Sequence, residues 1–155
     1  MRLALEDAAA TEAAGAALAK ALSGGDHIIF LHGDLGAGKT TLVRGLLRAL
    51  GHAGRVPSPT YTLVEPYEIG ALSLKHLDLY RIADPGELEY LGARELAGTV
   101  LIEWPEKGGH FLPEPDLDCR LAPEGTGRRL EAEGRTEAGR ALAQAWAAAV
   151  HQAGL

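Results

Sequence analysis

An α/β fold, three layers deep with helices flanking a mixed β-sheet, is what this sequence predicts, and three observations carry the prediction. A short apolar run, His27-Ile-Ile-Phe-Leu31, leads into a glycine-rich loop and then a segment of helical periodicity. That strand–loop–helix order is the unit from which parallel sheets are built. Two pairs of strand-like runs meet around glycines, and hairpins of this kind make the sheet mixed rather than purely parallel. Amphipathic segments near both ends of the chain supply the covering helices.

Taken in order, Thr11 reads as the N-cap of a first helix through Leu22, with Ala14, Leu18, Ala21 and Leu22 spaced for burial. Ser23-Gly-Gly-Asp26 reads as a turn. Leu22 to Gly25 has the letters of a transporter-ATPase signature, but it precedes the glycine loop instead of following it by a long helical segment. The strand at His27–Leu31 comes next. Leu42, Val43, Leu46, Leu47 and Leu50 then recur at helical spacing, and Gly51 is placed to end that helix. Val56-Pro-Ser-Pro-Thr60 is irregular, because two prolines restrict φ and remove donors. Tyr61–Tyr67 and Leu72–Leu79 form a predicted hairpin around Gly70. Asp84-Pro85 opens a short helix through Leu91. Thr99–Ile102 is a buried strand stopped by Pro105. Asp116–Leu121 and Arg128–Glu133 pair across Gly125 and Gly127, and a closing helix runs from Thr136 to about His151.

The loop between the first strand and its helix carries the chemistry. Gly33-Asp-Leu-Gly-Ala-Gly-Lys-Thr40 satisfies G-x-x-x-x-G-K-[ST] without a mismatch. Gly33, Gly36 and Gly38 let the backbone wrap an anion so that successive N–H groups point at phosphate oxygens. Lys39 brings a point charge to the β/γ-phosphates, and the Thr40 hydroxyl can ligate Mg²⁺. The helix N-terminus behind them adds its dipole. Candidate nucleotide-binding positions are therefore Gly33, Asp34, Leu35, Gly36, Ala37, Gly38, Lys39, Thr40 and Thr41, in a P-loop NTPase-like fold.

Hydrolysis also needs acidic groups around Mg²⁺ and the attacking water. Asp78 and Glu103 both stand at strand ends, and local sequence does not choose between them as the metal-holding acid. Ser58, Thr60 and Thr62 sit in the proline-stiffened loop, where a hydroxyl can sense the γ-phosphate or simply satisfy a turn. Arg81 fits either a phosphate partner or a structural ion pair. The six histidines show no paired ligand spacing, so none is assigned a metal.

Composition narrows the class. At 155 residues and 46% hydrophobic, the chain suits a single globular domain spanning 1–155. No apolar run approaches the ~20 residues of a membrane span, and the Ala-rich, acidic start does not look like a signal peptide, so a cytoplasmic protein is expected. The lone Cys119 excludes an internal disulfide. A net charge of −6 argues against autonomous nucleic-acid binding.

Four stretches together resemble one family: Gly33–Thr41, Ser58–Tyr67, His76–Arg81 and Ile102–Pro105. The chain is similar, from about Thr11 to Arg129, to the TsaE (YjeE-type) ATPases of bacterial tRNA threonylcarbamoyladenosine biosynthesis. That resemblance implies an ATP- and Mg²⁺-dependent protein that assists the TsaB–TsaD threonylcarbamoyl transferase, supports its turnover and meets tRNA indirectly through that complex, with direct tRNA contact left open. Because one small acidic chain carries an incomplete set of catalytic groups, its ATPase activity is expected to be weak alone and to rise with those partners. Carried over by motif, Lys39 and Thr40 hold phosphate and Mg²⁺, Glu103 is the acid at the metal, and Asp78 supports metal or water. Trp104 lies near the nucleotide, and Thr11, Gly127 and Arg128 correspond to adenine-side contacts. Two rivals remain: a small-molecule kinase, for which no lid-sized insertion is visible, and a nucleotide-dependent binding module that does not rely on hydrolysis. A GTPase is disfavoured, since no Asn-Lys-x-Asp motif occurs.

Overall fold

Seven strands form a sheet in the order β1-β7-β6-β2-β5-β4-β3 in the computed structural model, which describes residues 1–22 and 25–155. The strands are β1 (Arg2–Leu5), β2 (His27–His32), β3 (Val64–Ile69), β4 (Leu72–Asp78), β5 (Thr99–Glu103), β6 (Leu117–Glu124) and β7 (Gly127–Gly134). The helices are α1 (Ala8–Ala21), α2 (Lys39–Ala49), α3 (Glu87–Tyr90) and α4 (Glu137–Gln152). Strands β6, β2, β5 and β4 run parallel at the centre. The outer pairs β1/β7, β7/β6 and β4/β3 are antiparallel. The α/β class with a mixed, helix-flanked sheet is as the sequence predicts.

The three layers follow from where the apolar side chains point. Ile29, Leu31 and Leu101 face one side and join a core with Leu18, Leu46 and Trp146 from α1, α2 and α4. Val100, Ile102 and Leu77 face the other side and pack with Leu88, Ala93 and Leu112. That second outer layer is thin, made from α3 and short 3₁₀ turns such as Pro105–Lys107. Every residue of β5 is buried, which is why it reads as a continuous apolar run rather than an alternation.

Helices α1 and α2 cross at close range because each presents a glycine to the other. A Cβ on Gly15 would strike the Leu42 carbonyl oxygen, and one on Gly45 would strike that of Glu12. Gly45→Ala should therefore destabilise the fold by about 1–3 kcal/mol, despite alanine's better helix propensity. Thermal or denaturant unfolding measures it, and an alanine variant as stable as the parent would show that the helices separate freely.

Several boundaries differ from expectation. The cap of α1 is Asp7, whose carboxylate accepts from Ala10 N–H at 2.8 Å. Thr11 lies inside the helix, its hydroxyl donating to the Asp7 carbonyl at 3.3 Å. The turn expected at Ser23–Asp26 lies partly outside the described residues. Tyr61–Leu63 is turn rather than strand: Leu63 takes a left-handed φ of 71° and donates to the Pro59 carbonyl at 2.8 Å. The helix expected from Asp84 begins only at Glu87, after Asp84 accepts from Gly86 N–H at 2.9 Å. Strand β1 was not foreseen.

Candidate functional site

Register aligns the carboxyl ends of the parallel strands into one row. Leu31 on β2 sits opposite Glu103 on β5, and Glu103 sits opposite Asp78 on β4. Ligands of open α/β sheets bind beyond such strand ends. Directly after β2 the glycine loop turns into α2, whose N-cap Gly38 holds a left-handed φ of 107° and offers no side-chain cap. The first-turn N–H groups of α2 thus point into the space above the row without a side-chain acceptor, as an anion cradle requires.

A cavity of about 210 Å³ lies there. The loop from Leu35 to Thr41 forms its floor, and Ser58, Thr60, Asp78, Glu103 and Trp104 form its walls. An adjoining hollow of about 150 Å³ shares Gly36, Gly38 and Thr41 with it and is closed by Asp7, Thr11, Gly127 and Arg128. The structure thus brings together nearly every residue singled out from sequence, in two connected compartments. Four do not converge: Arg81 and Thr62 line neither compartment, the Thr62 hydroxyl donating to Glu65 at 2.9 Å, and Gly33 and Asp34 lie apart from them as well. Asp34 is exposed and borders a different hollow with Gly33; Gly33 serves the site through its carbonyl, which accepts from Lys39.

Lys39 opens α2 and is 5% exposed. Its ammonium donates to Gly33, lies 3.9 Å from Glu103 Oε1 and stands 4.1 Å from the centre of the Trp104 ring. Burial pulls the Lys39 pKa below its ordinary value, and the nearby carboxylates of Glu103 and then Asp78 oppose that shift. Trp104 holds this wall in a left-handed conformation, φ 55°, a cost of about 1–3 kcal/mol for a non-glycine residue. Its ring packs on Tyr80 at 5.0 Å.

Asp78 is equally fixed. Oδ1 accepts from Tyr80 N–H and Oδ2 from the Thr60 hydroxyl, both at 2.9 Å. Ser58 Oγ lies 2.9 Å from Thr60 Oγ1. The proline-stiffened loop is therefore tethered to the acid at the cavity, beyond mere turn bonding. Arg81 instead donates to the Tyr61 hydroxyl at 3.0 Å and stacks on its ring.

Arg128 reaches the loop from β7 in a way the sequence did not disclose. Its guanidinium donates to the carbonyls of Ala37, Gly36 and Gly127, each at 3.0 Å. Drawing those carbonyls outward leaves the loop's N–H groups facing inward. Arg128→Ala should weaken nucleotide binding roughly tenfold, the value of two charge-assisted hydrogen bonds shared with solvent. Titration calorimetry checks this, and unchanged affinity would remove the brace.

One functional candidate escaped the sequence reading. His76, fully buried on β4, lies with Nε2 2.5 Å from Glu103 Oε2. Its position two residues before Asp78 was the available signal. A larger hollow of about 370 Å³, bordered by His32, Asp118 and Arg135, is less suited to chemistry. There Asp118 is already held by His32 and Arg135, each at 2.8 Å.

Comparison with known proteins identifies the family and the fold. Residues 5–130 match the family model described as threonylcarbamoyl adenosine biosynthesis protein TsaE. The tRNA threonylcarbamoyladenosine biosynthesis protein TsaE of Haemophilus influenzae is 48% identical over 122 residues, 77% of each chain. That of Synechocystis is 46% identical over 114 residues, 69% of this chain and 71% of its own. The crystal structure of Bacillus subtilis YdiB superposes with a TM-score of 0.77 at 26% identity, covering 96% of this chain and 94% of that one. The chain belongs to the TsaE family of threonylcarbamoyladenosine biosynthesis proteins.

Proposed function

We propose that this chain is a Mg²⁺-dependent ATPase of tRNA threonylcarbamoyladenosine biosynthesis, acting as one cytoplasmic domain that supports turnover of the TsaB–TsaD transferase. The observation that carries this reading is the convergence of Lys39, Thr40, Asp78 and Glu103 on one cavity floored by the glycine loop. The uncapped N-terminus of α2 suits a phosphate chain. The neighbouring hollow at Thr11, Gly127 and Arg128 suits the base and sugar.

The donor set also fits Mg²⁺. Thr40, Asp78 and Glu103 offer only oxygen, and no group of three His, Cys, Asp or Glu capable of holding a metal occurs among the described residues. Mg²⁺ commonly keeps several waters and binds through one or two carboxylates plus substrate phosphates, so a full protein cage is not required. When bound, Mg²⁺ neutralises charge developing on the transferred phosphate. Thr40, Asp78 and Glu103 would hold Mg²⁺ or orient the attacking water, Lys39 would hold the β/γ-phosphates, and Trp104 walls the site from solvent. Thr60, hydrogen-bonded to Asp78, links the state of the acid to its surface loop.

Phosphate release should be slow for the isolated chain and should rise when TsaB–TsaD is added. No stimulation at any partner ratio would sink the reading. Reconstituted tRNA modification with and without this chain and ATP tests the pathway role. With a net charge of −6, contact with tRNA is expected to run through the transferase.

A further inference from the structure

We propose that His76 is a positioning residue: it pins one oxygen of Glu103 so that the other stays turned toward Lys39 and the cavity. The proposal rests on the ATPase reading above. Glu103 is 3% exposed and His76 is fully buried. The two carboxylate oxygens are divided between partners, Oε2 with His76 Nε2 at 2.5 Å and Oε1 with Lys39 Nζ at 3.9 Å. Register explains how they meet, since His76 sits opposite Leu101 and reaches diagonally along the helix-covered face to Glu103.

The chemistry of the contact fixes its direction. An ionised carboxylate only accepts, so His76 Nε2 must donate. Nδ1 is buried with no partner among the described residues, and a proton there would be a donor without an acceptor, which is costly. The geometry therefore places the ring's proton at Nε2, facing Glu103. Among the described residues Lys39 is the one side-chain partner of Glu103 besides His76, and Lys39 is the group a phosphate would engage. His76 is the partner that stays when Lys39 is drawn away, and it keeps the carboxylate aimed.

The full chain with TsaB–TsaD tests this. His76→Leu should lower kcat for ATP hydrolysis about 10- to 100-fold, as loss of an orienting partner does elsewhere, while KM for ATP stays nearly unchanged. His76→Gln, whose amide N–H reaches the place of Nε2, should recover most of kcat. His76→Asn, whose amide stands at the place of Nδ1, should not. If H76L does not fold, the Gln and Asn pair decides. Equal activity of those two variants, or wild-type kcat in all of them, overturns the proposal. Nitrogen NMR of the unmutated chain should find the proton on Nε2 and shift its signal in Glu103→Ala; a proton on Nδ1, or no shift, overturns it too. Should the unmutated chain hydrolyse no ATP, the ATPase reading falls, and NMR still decides the His76–Glu103 contact.

Discussion

Lys39→Ala should reduce ATP affinity about 100-fold, read by titration calorimetry. A hydrogen-bonded charge contributes about 1.5–3 kcal/mol, and two effects add in the same direction here. The ammonium is the cation that balances Glu103, 3.9 Å away, and it is also attracted by Asp78. Once it is removed, a cavity floored by the glycine loop is lined by two buried carboxylates with no other cation in its lining among the described residues. An incoming phosphate chain then loses attraction and gains repulsion in a poorly screened place. Lys39→Met keeps the apolar stem beside Trp104 and separates lost packing from lost charge. Unchanged affinity in both variants would contradict the phosphate role of the loop. GTP titrated in parallel tests base preference, which the hollow at Thr11 and Gly127 would set.

The parts of this site that depend on local chemistry were legible, and those that depend on register were not. Gly33 to Thr41 could be read because loop, lysine and helix start are contiguous, and each glycine answers a backbone need. Asp78 and Glu103 could be nominated as strand-end acids, but only the pairing of β4 with β5 puts them side by side. Histidine spacing assigns His76 no metal and says nothing of a partner; that partner is a glutamate 27 positions later on the neighbouring strand. Arg128 acts on a loop 91 positions away, a contact that local pattern does not encode. Strand β1 was invisible for a similar reason. Only Leu5 of its four residues is buried, and its partner is β7. Tyr61–Leu63 has strand-forming composition, yet the pull of Pro59 and the left-handed Leu63 override propensity.

Glu103→Ala is expected to leave ATP binding largely intact while abolishing support of tRNA modification. The separation follows from position. Glu103 stands at the end of β5 behind Lys39, whereas the phosphate-facing N–H groups belong to the loop and α2. Removing the carboxylate deletes the largest charge holding up the Lys39 pKa, so that pKa should fall further, with Asp78 still opposing the fall. Binding then weakens only modestly, because an anion takes over the balancing role. On the proposed ATPase reading hydrolysis should have no such substitute, since a carboxylate that would orient the attacking water acts in the transition state, and loss there appears in kcat. Truncation also leaves His76 Nε2 without its acceptor, a penalty of about 1–3 kcal/mol to the fold. Glu103→Gln removes that complication, because its amide oxygen still accepts from His76. Both variants should bind ATP and both should fail in reconstituted tRNA modification. Full support by Glu103→Gln would move the essential acid to Asp78, whose bonds to Thr60 and Tyr80 already hold it at the same cavity.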